Sequence, residues 1–69
     1  KPLHTRLSER EFQIFCKLGS GAAVSAIAGE LCLSVKTVST YRARILEKMR
    51  MQTNEELLQY AQAHGLTSP

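Results

Sequence analysis

Apolar positions along this chain fall at three- and four-residue steps, and each such run opens on a helix-starting signal. Ser8-Glu9-Arg10-Glu11 is a capping box, in which the serine hydroxyl serves the Glu11 amide while the glutamate reaches back to the Ser8 amide. Leu7 and Phe12 flank it as a hydrophobic staple, Phe12, Phe15, Cys16 and Leu18 continue the period, and Gly19-Ser20-Gly21 ends it. A second run, Val24, Ile27, Ala28 and Leu31, contains Gly29, which costs about 1 kcal/mol against alanine in a helix interior. Ser34 is a good N-cap for a third run that continues from Val35 to Met49 without proline or glycine. Thr53-Asn54-Glu55-Glu56 is a second capping box ahead of Leu57, Leu58, Tyr60 and Ala61, and Gly65-Leu66 suits the end of that last helix.

The pattern therefore predicts an all-α fold: a four-helix bundle with helices near 9–18, 23–31, 35–49 and 54–64, and no strands. Residues 7–66 form the domain, residues 1–6 read as a linker or disordered end, and residues 67–69 as a tail.

The second and third helices are joined by about three residues, Cys32-Leu33-Ser34, the geometry of a helix-turn-helix. At about 100° per residue, Val38, Ile45 and Met49 share one side of the third helix with Tyr41 flanking them. Lys36, Ser39, Thr40, Ala43 and Glu47 fall opposite, with Arg44 beside them and Arg42 nearer the core edge. A helix enters the major groove of double-stranded DNA only if its leading face is slim. Ser39, Thr40 and Ala43 meet that need and are expected to face bases, hydroxyls bonding permissively and methyls suiting thymine. Lys36, Thr37, Arg42 and Arg44 are the expected contacts to phosphate or groove edge.

Charge sharpens this reading. The 69-residue chain carries +3 overall, but residues 36–50 alone hold five basic and one acidic side chain, so the positive charge is concentrated on the third helix. At 43% hydrophobic and 22% charged the composition is that of a globular domain, with no apolar run long enough for a membrane span and no secretory leader pattern. A cytoplasmic location is expected. Cys16 and Cys32 lie in apolar helical patterns and read as small buried hydrophobes, and their spacing with His4 and His64 offers no zinc site. His4 falls in the expected linker and His64 at the end of the last helix, so neither is placed to activate a nucleophile. An enzyme, a cofactor, a metal and a small-molecule ligand in this domain are not expected.

Leu7-Ser8-x-Arg10-Glu11, Gly21, Ile27-Ala28-x-x-Leu31-x-Leu33-Ser34-x-x-Thr37-Val38, Ile45-x-x-Lys48-Met49 and Glu56-Leu57 resemble the signature of the LuxR/FixJ (NarL-type) helix-turn-helix domain, in order, from Leu7 to Leu66. Departures fall at Ala26, where that family usually has glutamate, Tyr41, often histidine, Arg50, usually glycine, and Asn54, often arginine. The run Lys36–Tyr41 looks like response regulators of the virulence-control type. The resemblance implies a bacterial transcription regulator whose third helix enters the major groove. It implies a homodimer through the last helix, for which Leu57, Leu58, Tyr60 and Ala61 are the candidates. The resemblance also implies a sensing domain upstream, a phosphorylated receiver first and an autoinducer-binding domain second, and RNA polymerase is a candidate partner. The rival reading is a helical protein-protein interaction module that binds through the last helix, with the basic face incidental.

Overall fold

Every side-chain cap expected from the sequence forms in the computed structural model, which describes residues 2–66. The Ser8 hydroxyl accepts from the Glu11 amide at 3.2 Å, and the Glu11 carboxylate accepts from the Ser8 amide at 2.8 Å. These fix the start of helix α1 (Glu9–Gly19). Helix α2 (Val24–Leu31) has no side-chain cap, so its start depends on packing. Ser34 caps helix α3 (Val35–Met49), accepting from the Thr37 amide at 3.0 Å. Thr53 and Glu56 form the reciprocal box that opens helix α4 (Asn54–Ala63). The described residues contain no strand, as the sequence leads one to expect.

All four helices end in the same way, with one residue in the left-handed region and the next amide reaching back five residues. The returning bonds are Ala22 to Lys17 at 3.1 Å, Leu33 to Ala28 at 2.9 Å, Met51 to Leu46 at 2.9 Å and Leu66 to Ala61 at 2.8 Å. Glycine holds the left-handed position after α1 (Gly21) and α4 (Gly65), but Cys32 and Arg50 hold it after α2 and α3, each at φ 57°. Only glycine adopts this conformation without a Cβ penalty, so the C-terminal ends of α2 and α3 carry local strain. Cys32 is accordingly exposed rather than the buried hydrophobe its apolar neighbours suggest, because α2 stops at Leu31 and turns it outward; Cys16 is half-buried.

The core draws on every helix: Ile14, Phe15 and Leu18 from α1, Ile27 and Ala28 from α2, Val38, Ile45 and Met49 from α3, and Leu57 and Ala61 from α4. Helix α1 is central, packing on α4 along one side and on α3 along another, while α2 rests mainly on α3. Gly19 permits the first of these contacts. A Cβ built there would lie 2.5 Å from the Ala61 Cβ, closer than two carbons approach.

The N-terminal segment departs from expectation. Leu3–Arg6 is a 3₁₀ turn rather than a disordered end, and it packs against α3. His4 reaches α4, its ring Nδ1 lying 3.0 Å from the Tyr60 hydroxyl, and Tyr60 stacks on His64 at a centroid distance of 4.0 Å. The turn is held by a partner 56 positions away, which no local pattern reveals. The expected tail at 67–69 lies outside the described residues.

Candidate nucleic-acid interface

Helix α3 is sharply two-sided. Val38, Ile45 and Met49 are wholly buried, whereas Lys36, Thr37, Ser39, Thr40, Ala43 and Arg44 are exposed along the opposite side. The structure thus brings six of the seven candidate DNA-contacting residues onto one open strip. Ser39 and Ala43, one turn apart along one edge of that strip, project no side chain longer than a hydroxymethyl group, so a flat edge can approach the helix backbone there.

Two of these hydroxyls are oriented by the helix itself. Thr40 donates to the Lys36 carbonyl at 3.0 Å, which leaves its lone pairs and methyl group facing outward. A threonine so tied accepts more readily than it donates. The Ser34 hydroxyl donates to Thr37 Oγ1 at 2.9 Å, so the Thr37 hydroxyl proton points away from the cap and is available to an anion at the helix N-terminus.

Arg42 stands apart from the strip. It is half-buried, and its guanidinium donates to the Asn54 side-chain oxygen at 3.0 Å, tying α3 to the first turn of α4. Sequence reading missed the partnership because the two residues are 12 positions apart on different helices. It also missed Val35, which opens α3 with 51% of its surface exposed.

The electrostatics follow from which cations are already paired. Among the described residues the ion pairs are Lys17 with Glu30, and Lys48 with Glu11 at 2.8 Å. Glu11 is only 4% exposed, and its carboxyl is held below the ordinary glutamate range, first by the Lys48 hydrogen bond and next by the Ser8 amide. Lys48 is therefore structural, pinning the C-terminal part of α3 to the start of α1. Lys36, Arg42, Arg44 and Arg50 are in no ion pair among the described residues, so α3 presents net positive charge on a rigid support.

The four self-association candidates on α4 do not form one surface. Leu57 and Ala61 are wholly buried in the core of their own chain and offer nothing to a partner. Leu58 and Tyr60 are half-buried on opposite flanks, roughly 160° apart around the helix. Tyr60 is occupied by His4, His64 and Phe15. The open side of α4 carries Glu55, Gln59, Gln62 and Ala63. No group of three or more metal-ligating side chains occurs among the described residues, and none of the described helices is long and apolar enough to cross a membrane.

Residues 5–61 match the family model described as bacterial regulatory proteins, luxR family. The response regulator GacA of Pseudomonas aeruginosa is 47% identical over 60 residues, covering 87% of this chain and 28% of that protein. GacA of Pseudomonas protegens gives the same figures, and the response regulator UvrY of Escherichia coli is 43% identical over the same coverage. The chain thus spans less than a third of the length of these relatives.

Proposed function

The chain belongs to the luxR family of bacterial regulatory proteins, whose helix-turn-helix domain binds DNA in transcription regulation and is not an enzyme, and we propose that it is the output domain of a phosphorylation-controlled response regulator that reads duplex DNA with α3. The observation that carries this reading is the open strip of Ser39, Thr40 and Ala43 between Lys36 and Arg44, backed by the buried Val38, Ile45 and Met49. Lowered into the major groove, the small residues meet base edges while Lys36, Thr37 and Arg44 meet the phosphates on either side. Arg42 serves from the flank, its remaining N–H groups directed to a phosphate while Asn54 fixes the side chain.

Two protomers pair through α4, matching a two-fold repeated site. Leu58 supplies the apolar contact, Glu55, Gln59 and Gln62 lie around it, and the buried Leu57 and Ala61 hold the helix in place. The full regulator acts in the bacterial cytoplasm, with a receiver domain upstream that controls pairing, and RNA polymerase is the partner at the promoter.

Binding to duplex DNA across a salt series tests the proposal. One phosphate neutralised by each of Lys36, Arg42 and Arg44 predicts a log–log slope of about −2.7 for each bound protomer, at roughly 0.9 per neutralised phosphate. A module that merely docks on proteins gives no affinity for duplex at low salt and no slope, and that result refutes the reading.

A further inference from the structure

Val35 is the one large hydrophobic side chain that is exposed among the described residues, and it stands at the first position of the helix proposed to enter the groove. Every other large apolar residue described is buried or half-buried. Its placement is firm: Ser34 locks the start of α3 through the Thr37 amide and hydroxyl, so the first turn is not frayed. Val35 lies one turn before Ser39, on the same flank of the strip. A β-branched side chain in a helix keeps essentially one χ1 rotamer, so little freedom is lost when it is covered.

We propose, resting on the DNA-binding reading above, that Val35 is a specificity-determining residue that packs on the C5 methyl group of a thymine at the edge of each half-site. Lys36, next to it in the first turn and in no ion pair among the described residues, commits the start of α3 to a polyanion. In helix-turn-helix docking the N-terminal residues of the recognition helix approach the base edges. A side chain without donor or acceptor adds nothing at a phosphate, and the thymine methyl is the apolar group displayed on base edges in the major groove. Thr40 and Ala43 carry methyls too, but deeper along the helix, so Val35 reads a different base pair.

The experiment selects duplexes from a randomised library with the chain itself, then replaces each selected thymine in turn by uracil, which removes only the methyl. The wild-type chain should lose about fourfold in affinity for uracil at one outer position of each half-site, the factor expected for one methyl-sized group withdrawn from contact. Val35→Ala should bind thymine and uracil equally there, while Lys36→Ala should bind more weakly to both and keep the discrimination. Wild type indifferent to uracil at every position, or Val35→Ala retaining the full preference, overturns the inference while leaving DNA binding intact. Failure to select any duplex overturns the underlying reading as well, and is seen at the first step.

Discussion

The two glycines inside helices make opposite demands, and alanine at each separates helix propensity from packing. Gly29 is exposed, and a Cβ placed there meets nothing within 4 Å. Gly29→Ala should therefore stabilise the fold by about 0.5–1 kcal/mol, the full helix-propensity gain. Gly19 closes α1 against α4, and its added Cβ lies 2.5 Å from the Ala61 Cβ with the Leu57 carbonyl oxygen behind it at 4.0 Å. Ordinary carbon contact needs roughly 1 Å more. Both partners are buried on packed helices, so backbone rather than a flexible tip must move. Overpacking of that kind costs about 1–3 kcal/mol, less the part of the propensity gain that the last residue of a helix keeps. The net for Gly19→Ala is a loss of about 1–2 kcal/mol, or roughly 4–15 °C in melting temperature for a domain of this size. Thermal and urea unfolding followed by circular dichroism measure both variants. Gly19→Ala as stable as the wild type would show that the α1–α4 approach is not the close contact described here, and would remove the stated reason for a glycine at that site.

The other predictions concern the ion pair, the end of α3 and the groove face. Glu11→Gln preserves the cap but removes the charge facing Lys48, and should cost about 1–2 kcal/mol at neutral pH. Because the folded carboxyl is depressed, its stabilisation is complete above the unfolded value of about 4.3 and is lost as pH falls through the folded value. Wild type and variant should thus converge in acid, and parallel stability curves from pH 7 to pH 2 would exclude this role. Arg50→Gly relieves a left-handed residue at φ 57° and should raise the urea midpoint by the equivalent of about 0.5–1 kcal/mol; a lowered midpoint would mean that the arginine side chain contributes more than the strain costs. In DNA titrations, Lys36→Ala should weaken binding to all duplexes alike and flatten the salt slope by about 0.9 per protomer, whereas Thr40→Ala should alter the ranking of sequences. The same ranking in both variants would contradict the division between positioning and reading.

What the sequence disclosed was whatever is written in short-range chemistry. Capping boxes at Ser8 and Thr53, the N-cap at Ser34 and the glycines at 21 and 65 act within a turn, and their helices form where those signals place them, α3 to the residue. The exposed strip of α3 was legible for the same reason, since 3.6-residue periodicity alone separates Val38, Ile45 and Met49 from Ser39, Thr40 and Ala43. Cys32 and Arg50 were harder. A left-handed residue announces itself only when it is glycine, and here the returning bonds from Leu33 and Met51 hold the conformation against the local preference of the side chain.

Long-range contacts account for the rest, and they change the functional picture more than the helix ends do. On sequence alone Arg42 is one more cation on a basic helix; Asn54 makes it a tether as well, so moving α4 moves the side chain proposed to serve the groove edge. Tyr60 likewise reads as a spare aromatic on an amphipathic helix until His4 takes its hydroxyl and His64 its ring face. The consequence is directional. With Leu57 and Ala61 buried and Tyr60 occupied, the apolar side chain of α4 left for a second protomer is Leu58, and it lies on the flank that also carries Asn54. Pairing there, as proposed, would press on the residue that holds Arg42 and would couple self-association to the placement of that cation through a single hydrogen bond; on that proposal Asn54→Ala should weaken DNA binding in titrations without altering any residue of α3, and unchanged affinity would refute the coupling.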